Sequence, residues 1–142
     1  MIKFAVIGHP LTQSLSSVMH NAMLKDLGID GTYEILDTEQ EDLVTRVKQL
    51  KSQGYTGFNV TIPLKVPITL FLDEFDNLAD LAGCANTVKI NEDKSLSGYN
   101  TDIYGFKTAI PLEIQSYLKG QKVSILGTGG ASRAAAIAFC QI

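Results

Sequence analysis

Along the chain, mostly apolar runs of strand length alternate with stretches in which apolar residues recur every three or four positions. Lys3 to Gly8 is β-branched and apolar and stops at Gly-His-Pro, the pattern of a buried strand that enters a loop. From Leu15 the apolar positions are Leu15, Val18, Met19, Ala22, Met23 and Leu27, a helical stripe that ends at Gly28. Thr32 to Leu36 predicts a second strand, and Leu43, Val44, Val47 and Leu50 mark a helix that runs out before Gly54. Gly57 to Thr61 predicts a third strand, followed by a turn bounded by Pro63 and Pro67 and a short helical stretch ending near Phe71. Asp76 to Ala82 reads as a further helix, and Asn86 to Ile90 and Leu96 to Tyr99 flank the polar "NEDKS" as a hairpin. Strands that alternate with helices predict an α/β fold.

Asp102 to Lys119 has patchy helical spacing broken by Pro111, which predicts a bridging helix and a second segment rather than one rod. The domain boundary is expected here, with residues 1–101 as one domain and 102–142 as the bridge and the start of another. After Gly120 the chain reads "KVSILGTGGASRAAAIAF": a short buried strand, a glycine turn and an alanine-rich helix. Buried strands of this kind need cover on both faces, so apolar surface around Ile125, Leu126, Ala135 and Phe139 is expected to drive self-association.

Composition narrows the classes of function. A net charge of −3 and scattered basic residues leave no electrostatic footprint for nucleic acid. No segment has the uninterrupted apolar length of a membrane span, and "MIKFAVIGHP" lacks a signal-peptide core and cleavage site, so a soluble, cytoplasmic chain is expected. Cys84 and Cys140 form no CxxC pair and are expected to be buried, reduced thiols. His9 in a loop and His20 in a helix have no partner at ligand spacing, so no metal site is expected.

Candidate chemistry lies at strand ends and helix starts, where α/β proteins hold ligands. Gly127, Gly129, Gly130 and Ala131 form the candidate cofactor-binding turn, where backbone N–H groups can approach a pyrophosphate at the positive end of a helix. Ser132 stands where GxGxxG would have its last glycine, and a plain tight turn is the competing reading. Only 12 residues follow Gly130, fewer than the roughly 20 that separate such glycines from a ribose-reading residue, so the nucleotide site is expected to be incomplete within these residues. Ser14 and Ser16 sit where a helix begins and either cap it or hold a carboxylate there. Thr61 and Lys65 follow a strand whose exit is stiffened by Pro63 and Pro67; Lys65 is a solvated surface residue or one whose position matters. Asn86 and Asp102 are turn formers or polar ligands. A lysine near an aspartate can share a proton network with an alcohol undergoing oxidation.

The segments "GHPLTQSLSSVMHN", "GFNVTIPLK", "AGCANTV", "GYNTD" and "ILGTGGASRA" occur in the order and approximate spacing of the shikimate dehydrogenase family, and the chain resembles that family over essentially its whole length. The resemblance implies an N-terminal three-layer substrate-binding domain with a mostly parallel sheet, followed by the first β-α unit of a Rossmann domain. It implies that Ser14 and Ser16 bind the shikimate carboxylate, that Thr61, Lys65, Asn86 and Asp102 surround the ring hydroxyls, and that Lys65 and Asp102 are the catalytic pair, with Asn59 supporting the lysine loop. The implied activity is NADP-dependent interconversion of shikimate and 3-dehydroshikimate in aromatic amino-acid biosynthesis; the alternative is a fragment that binds substrate without turnover. A homodimer, or association through the incomplete nucleotide half, is the only macromolecular partnership expected. Gln13, Ser17, Cys84-Ala85 and Ile103 depart from commoner family residues and bear on shikimate against quinate preference rather than on reaction class. The basic loop for the NADP 2′-phosphate and a late substrate-binding glutamine of the family have no counterpart in these residues, so NADP is inherited from the resemblance.

Overall fold

The computed structural model describes residues 1–142. Its centre is one six-stranded sheet built from β1 (Ile2–Gly8), β2 (Gly31–Asp37), β3 (Gly57–Val60), β4 (Glu74–Phe75), β5 (Thr87–Ile90) and β6 (Leu96–Tyr99), in the order β2-β1-β3-β5-β6-β4. β1 pairs in parallel with β2 and β3, and β4 in parallel with β6; β5 alone runs antiparallel to its neighbours. The helices are α1 (Ser16–Asp26), α2 (Leu43–Ser52), α3 (Asn77–Ala82), α4 (Asp102–Ala109), α5 (Leu112–Leu118) and α6 (Gly130–Cys140).

The apolar run of β1 is buried on both faces, as a central parallel strand requires. Ala5 and Ile7 point toward Leu43, Val47 and Leu50 of α2, in a core shared with Phe58, Val60, Leu64, Ile68 and Val88. On the opposite face Val6 packs with Leu11 and Tyr33, and Leu24 of α1 lies against them. The domain is thus three layers deep: α1, sheet, α2. Positions 43, 47 and 50 fall on one face of α2, which is why that face is buried while Val44 stays exposed. A smaller core of Ala82, Cys84, Ile103, Ala134 and Ala138 seats α6 on α3 and α4. The helical stretch 102–119 splits at Ile110-Pro111 into α4 and α5, as the proline predicts.

Several expectations are corrected. The segment 122–127 forms no strand, and Val123, Ile125 and Leu126 are exposed. A strand needs a neighbour to accept its backbone hydrogen bonds, and no other strand lies beside this segment. Only the helical half of the expected β-α unit is therefore present. Of the four residues expected to form an apolar surface there, Ala135 is buried and Phe139 stacks edge-to-face on Phe106 at 5.3 Å, leaving Ile125 and Leu126 uncovered. The stripe of α1 does form a helix, but Val18, Met19, Met23 and Leu27 are exposed; periodicity predicts the helix, not whether its face is covered. Strand β4 is two residues long, too short to leave a periodic signal. Cys84 is buried, whereas Cys140 lies on the outer side of α6 and is exposed.

Candidate functional site

The loop after β1 carries the two serines, and its path is fixed by the neighbouring strand ends. His9 N–H donates to Ile62 O at 2.9 Å, and the Asp37 carboxylate at the end of β2 accepts from His9 Nδ1 at 2.6 Å and from Leu11 N–H at 2.8 Å. α1 then starts at Ser16 with no side-chain cap; Ser14 Oγ only receives a long, 3.4 Å bond from Ser16 N–H. The capping reading of the serines is therefore weak, and both hydroxyls line a cleft of about 430 Å³ with Thr61 and Gln13.

The His9 and Asp37 bond is titratable from both sides. The Asp37 carboxylate raises the imidazole above its ordinary range, and the His9 and Leu11 donors lower the Asp37 carboxyl. The histidine's contribution is complete below its unfolded pKa and is lost as pH rises through the raised folded value. The aspartate's is present above its unfolded pKa and disappears as pH falls through the lowered one. The loop is accordingly held best in the mildly acidic to neutral window between them. Asp37→Asn is expected to move the His9 midpoint downward in an NMR titration; an unmoved midpoint would mean that the bond does not persist in solution.

The lysine loop is anchored from below. Leu64 and Ile68 are fully buried, Leu64 N–H closes a turn onto Thr61 O at 2.8 Å, and Ala85 N–H donates to Lys65 O at 2.9 Å. From this base Lys65 Nζ reaches Asp102 Oδ2 at 2.5 Å, with the two side chains 19% and 28% exposed. Asp102 is the first residue of α4, where a carboxylate is favoured by the helix dipole. Its other oxygen accepts from Asn86 Nδ2 at 2.9 Å, and the same nitrogen donates to Thr101 Oγ1 at 2.7 Å. Asn86 and Asp102 are thus bonded to each other, and Asp102 to the lysine, which a role as isolated turn formers does not require.

On the far side of Lys65 lies the glycine turn. A Cβ on Gly130 would come within 2.8 Å of Lys65 Cβ, so only glycine lets α6 approach the lysine stem this closely. A second cleft of about 430 Å³ runs between them, lined by Thr61, Lys65, Gly129, Gly130, Ala131 and Ser132. Gly127 is outside this lining; its φ of +124° and the Ser132 hydroxyl 2.8 Å from an added Cβ assign it to the turn itself. No side chain caps α6, so the N–H groups of its first turn are available to an anion, as a pyrophosphate would need. Cys84, beneath this turn, is pushed up by burial and stays a thiol.

Lys65, Asn86 and Asp102 form one bonded cluster, Ser14 and Ser16 line the adjoining cleft, and Thr61 lines both clefts. A larger, mainly apolar groove of about 480 Å³ lies between α1 and the sheet. His20, Tyr33, Asn59 and Thr87 line it, but Ser14, Ser16, Thr61 and Lys65 line the two smaller clefts, and the chemistry is assigned to those. Thr101, Thr87 and Tyr33 also belong to the polar cluster; the threonines lie in the segments "GYNTD" and "AGCANTV", whereas no sequence signal singles out Tyr33.

Fold and clefts define an α/β small-molecule-binding domain with its polar groups gathered at strand ends. Residues 6–88 match the family model described as shikimate dehydrogenase substrate binding domain. The chain belongs to that family. It is 47% identical over 129 residues to a shikimate dehydrogenase (NADP(+)) of Methanococcus maripaludis, covering 91% of this chain and 46% of that protein. Among solved structures it is similar to shikimate dehydrogenase 1 of Peptoclostridium difficile, with a TM-score of 0.88 and 34% identity, covering 99% of this chain and 52% of that one. It is also similar to shikimate 5-dehydrogenase of Thermus thermophilus in complex with NADP(H) and shikimate, with a TM-score of 0.79 and 37% identity, covering 99% and 52%. The chain spans about half the length of the curated relatives it matches.

Proposed function

We propose that this chain is the substrate-binding half of an NADP-dependent shikimate dehydrogenase that interconverts shikimate and 3-dehydroshikimate in aromatic amino-acid biosynthesis. The observation that carries the reading is the Lys65 and Asp102 pair, 2.5 Å apart, with Lys65 lining a cleft that opens onto the glycine turn of α6. Residues 1–101 are the catalytic and substrate domain, and 102–142 the bridge and the start of the nucleotide-binding domain.

Ser14 and Ser16, at the uncapped start of α1, receive the substrate carboxylate. Thr61, Lys65, Asn86 and Asp102 receive the ring hydroxyls. NADP supplies or accepts the hydride when bound, and Gly129, Gly130 and Ala131 hold its pyrophosphate side. In the reducing direction Lys65 donates a proton from its ammonium to the carbonyl oxygen at carbon three, completing the hydroxyl; in the oxidising direction it takes that proton back. The ammonium also stabilises negative charge that develops on this oxygen. Asp102, tied to Asn86 through its second oxygen, fixes where the ammonium stands.

The choice of NADP rests on the relatives whose names carry it. No helix is long and apolar enough to cross a membrane, and a cytoplasmic site of action is part of the proposal. The exposed Ile125 and Leu126 are the surface through which copies would associate.

The test is a calorimetric titration of the 142-residue chain with shikimate in the absence of cofactor. Saturable binding that Ser14→Ala weakens is expected. Absence of binding by both this chain and the full-length protein would overturn the reading.

A further inference from the structure

Asp102 is the acceptor-only end of a longer series of side-chain hydrogen bonds whose directions are all determined. A carboxylate cannot donate, so Asn86 must turn its Nδ2 toward Asp102, at 2.9 Å, which leaves Asn86 Oδ1 facing Thr87 Oγ1 at 3.1 Å. The Thr87 hydroxyl has one proton and must donate it to that oxygen. It therefore accepts from Asn59, whose Nδ2 lies 3.1 Å away and also donates to Asn86 O at 3.3 Å. Asn59 Oδ1 is then left for the Tyr33 hydroxyl, which donates to it at 2.7 Å. Both Asn86 Nδ2 protons are used, since the second goes to Thr101 Oγ1, and Asn86 Oδ1 also accepts from Thr101 N–H at 3.0 Å.

Tyr33 is itself held at a defined height. Asn21 of α1 clasps its backbone with two 2.8 Å bonds, to Tyr33 O and from Tyr33 N–H, and His20 stacks on its ring at 4.2 Å. Burial pushes the phenol up to about 12, so it remains a donor across the physiological range.

We propose that Tyr33 and Thr87 are positioning residues for the proposed catalytic pair: through Asn59 they steady the place of the Asn86 carboxamide, whose flip Asp102 and Thr101 N–H already fix, and so the orientation of Asp102 and Lys65. An amide flip of Asn86 would put its oxygen against the Asp102 carboxylate and its nitrogen against Thr101 N–H, so the flip is excluded at the site, and the series fixes how firmly the unflipped carboxamide is held there. Links of this kind reinforce one another in a partly buried site, and losing an early link releases the later ones. The significance for catalysis rests on the functional reading above, but the geometry of the series does not.

The experiment therefore reads the series in the free 142-residue chain. Tyr33→Phe and Thr87→Val each remove one hydroxyl with little change of shape, and Thr87→Ser retains it. NMR hydrogen exchange of the Asn86 carboxamide is expected to speed up by about tenfold in Tyr33→Phe and Thr87→Val, the loss of about one net hydrogen bond, and to return to the parent rate in Thr87→Ser. The Asn91 carboxamide, bonded to Ser95 and Ser97 on another part of the molecule, is the internal control and is expected to be unchanged. Should Thr87→Val not fold, Tyr33→Phe decides the matter alone. An unaltered Asn86 rate in Tyr33→Phe overturns the proposal, as does equal acceleration at Asn91. Shikimate affinity is measured on the same samples and on the full-length protein: altered exchange where neither binds shikimate rejects the functional reading and leaves the positioning series standing.

Discussion

Lys65→Met in the full-length protein is expected to lower turnover by about 10²- to 10⁴-fold, the range of positioned proton transfer, while shikimate affinity changes by no more than about tenfold. Methionine keeps most of the stem that packs on Gly130, so the α6 contact survives and only the ammonium is removed. Its loss deprives Asp102 Oδ2 of its partner, but that carboxylate is 28% exposed and keeps its bond from Asn86, so the chain still folds. Lys65→Arg is not a rescue: the planar guanidinium is larger, and the stem already lies at the closest approach Gly130 permits. Because the proposed mechanism uses the bonded Lys65 and Asp102 as a unit, Lys65→Met combined with Asp102→Asn is expected to be hardly worse than Lys65→Met alone. Steady-state turnover and calorimetric affinity on the three variants check this. A Lys65→Met enzyme with full turnover would remove Lys65 from the chemistry.

What was legible in the sequence depended on whether a neighbour was needed to interpret it. The run Lys3 to Gly8 and the positions 43, 47 and 50 carry their own periodicity, and β1 and α2 lie where that periodicity puts them. Residues 122–127 have the same apolar character as β1 but no strand beside them, and a strand is a property of a pair. The α1 stripe is a similar case, since its apolar face has no side-chain layer over it. At the site, Lys65, Asn86 and Asp102 were nameable from motifs, yet 37 residues separate the lysine from its aspartate. Their bonding is set by the sheet order, which places β3 beside β5 and β5 beside β6. Tyr33 was not nameable, and Thr87, though it lies within "AGCANTV", had no role legible there: a hydroxyl that orients an amide shows itself only as a distance in the folded chain.

The same closeness of strand ends makes Gly8 the most sensitive small position in the substrate domain. Gly8 ends β1 with φ at +154°, a conformation that residues with a Cβ rarely adopt, and an added Cβ would meet Thr61 Cγ2 at 2.4 Å and Ile62 O at 2.7 Å. Thr61 could rotate away, but Ile62 O is fixed by the bond it accepts from His9 N–H at 2.9 Å, so the backbone overlap has no inexpensive relief. Gly8→Ala is expected to destabilise the chain by about 2–4 kcal/mol, backbone strain and overpacking together, and to lower Tm by about 10 °C. It should also weaken shikimate binding, because the displaced Thr61 lines both clefts. Gly28→Ala separates the two causes: its φ is +65° and nothing lies within 4 Å of the added Cβ, so it carries backbone strain alone, about 1–2 kcal/mol. Thermal melts of both variants followed by circular dichroism check this directly. If Gly8→Ala melts no lower than Gly28→Ala, the contact between the end of β1 and the Thr61 loop is looser than the structure has it. If it melts well below, that contact couples the serine loop to the lysine loop and sets the spacing of the two halves of the site.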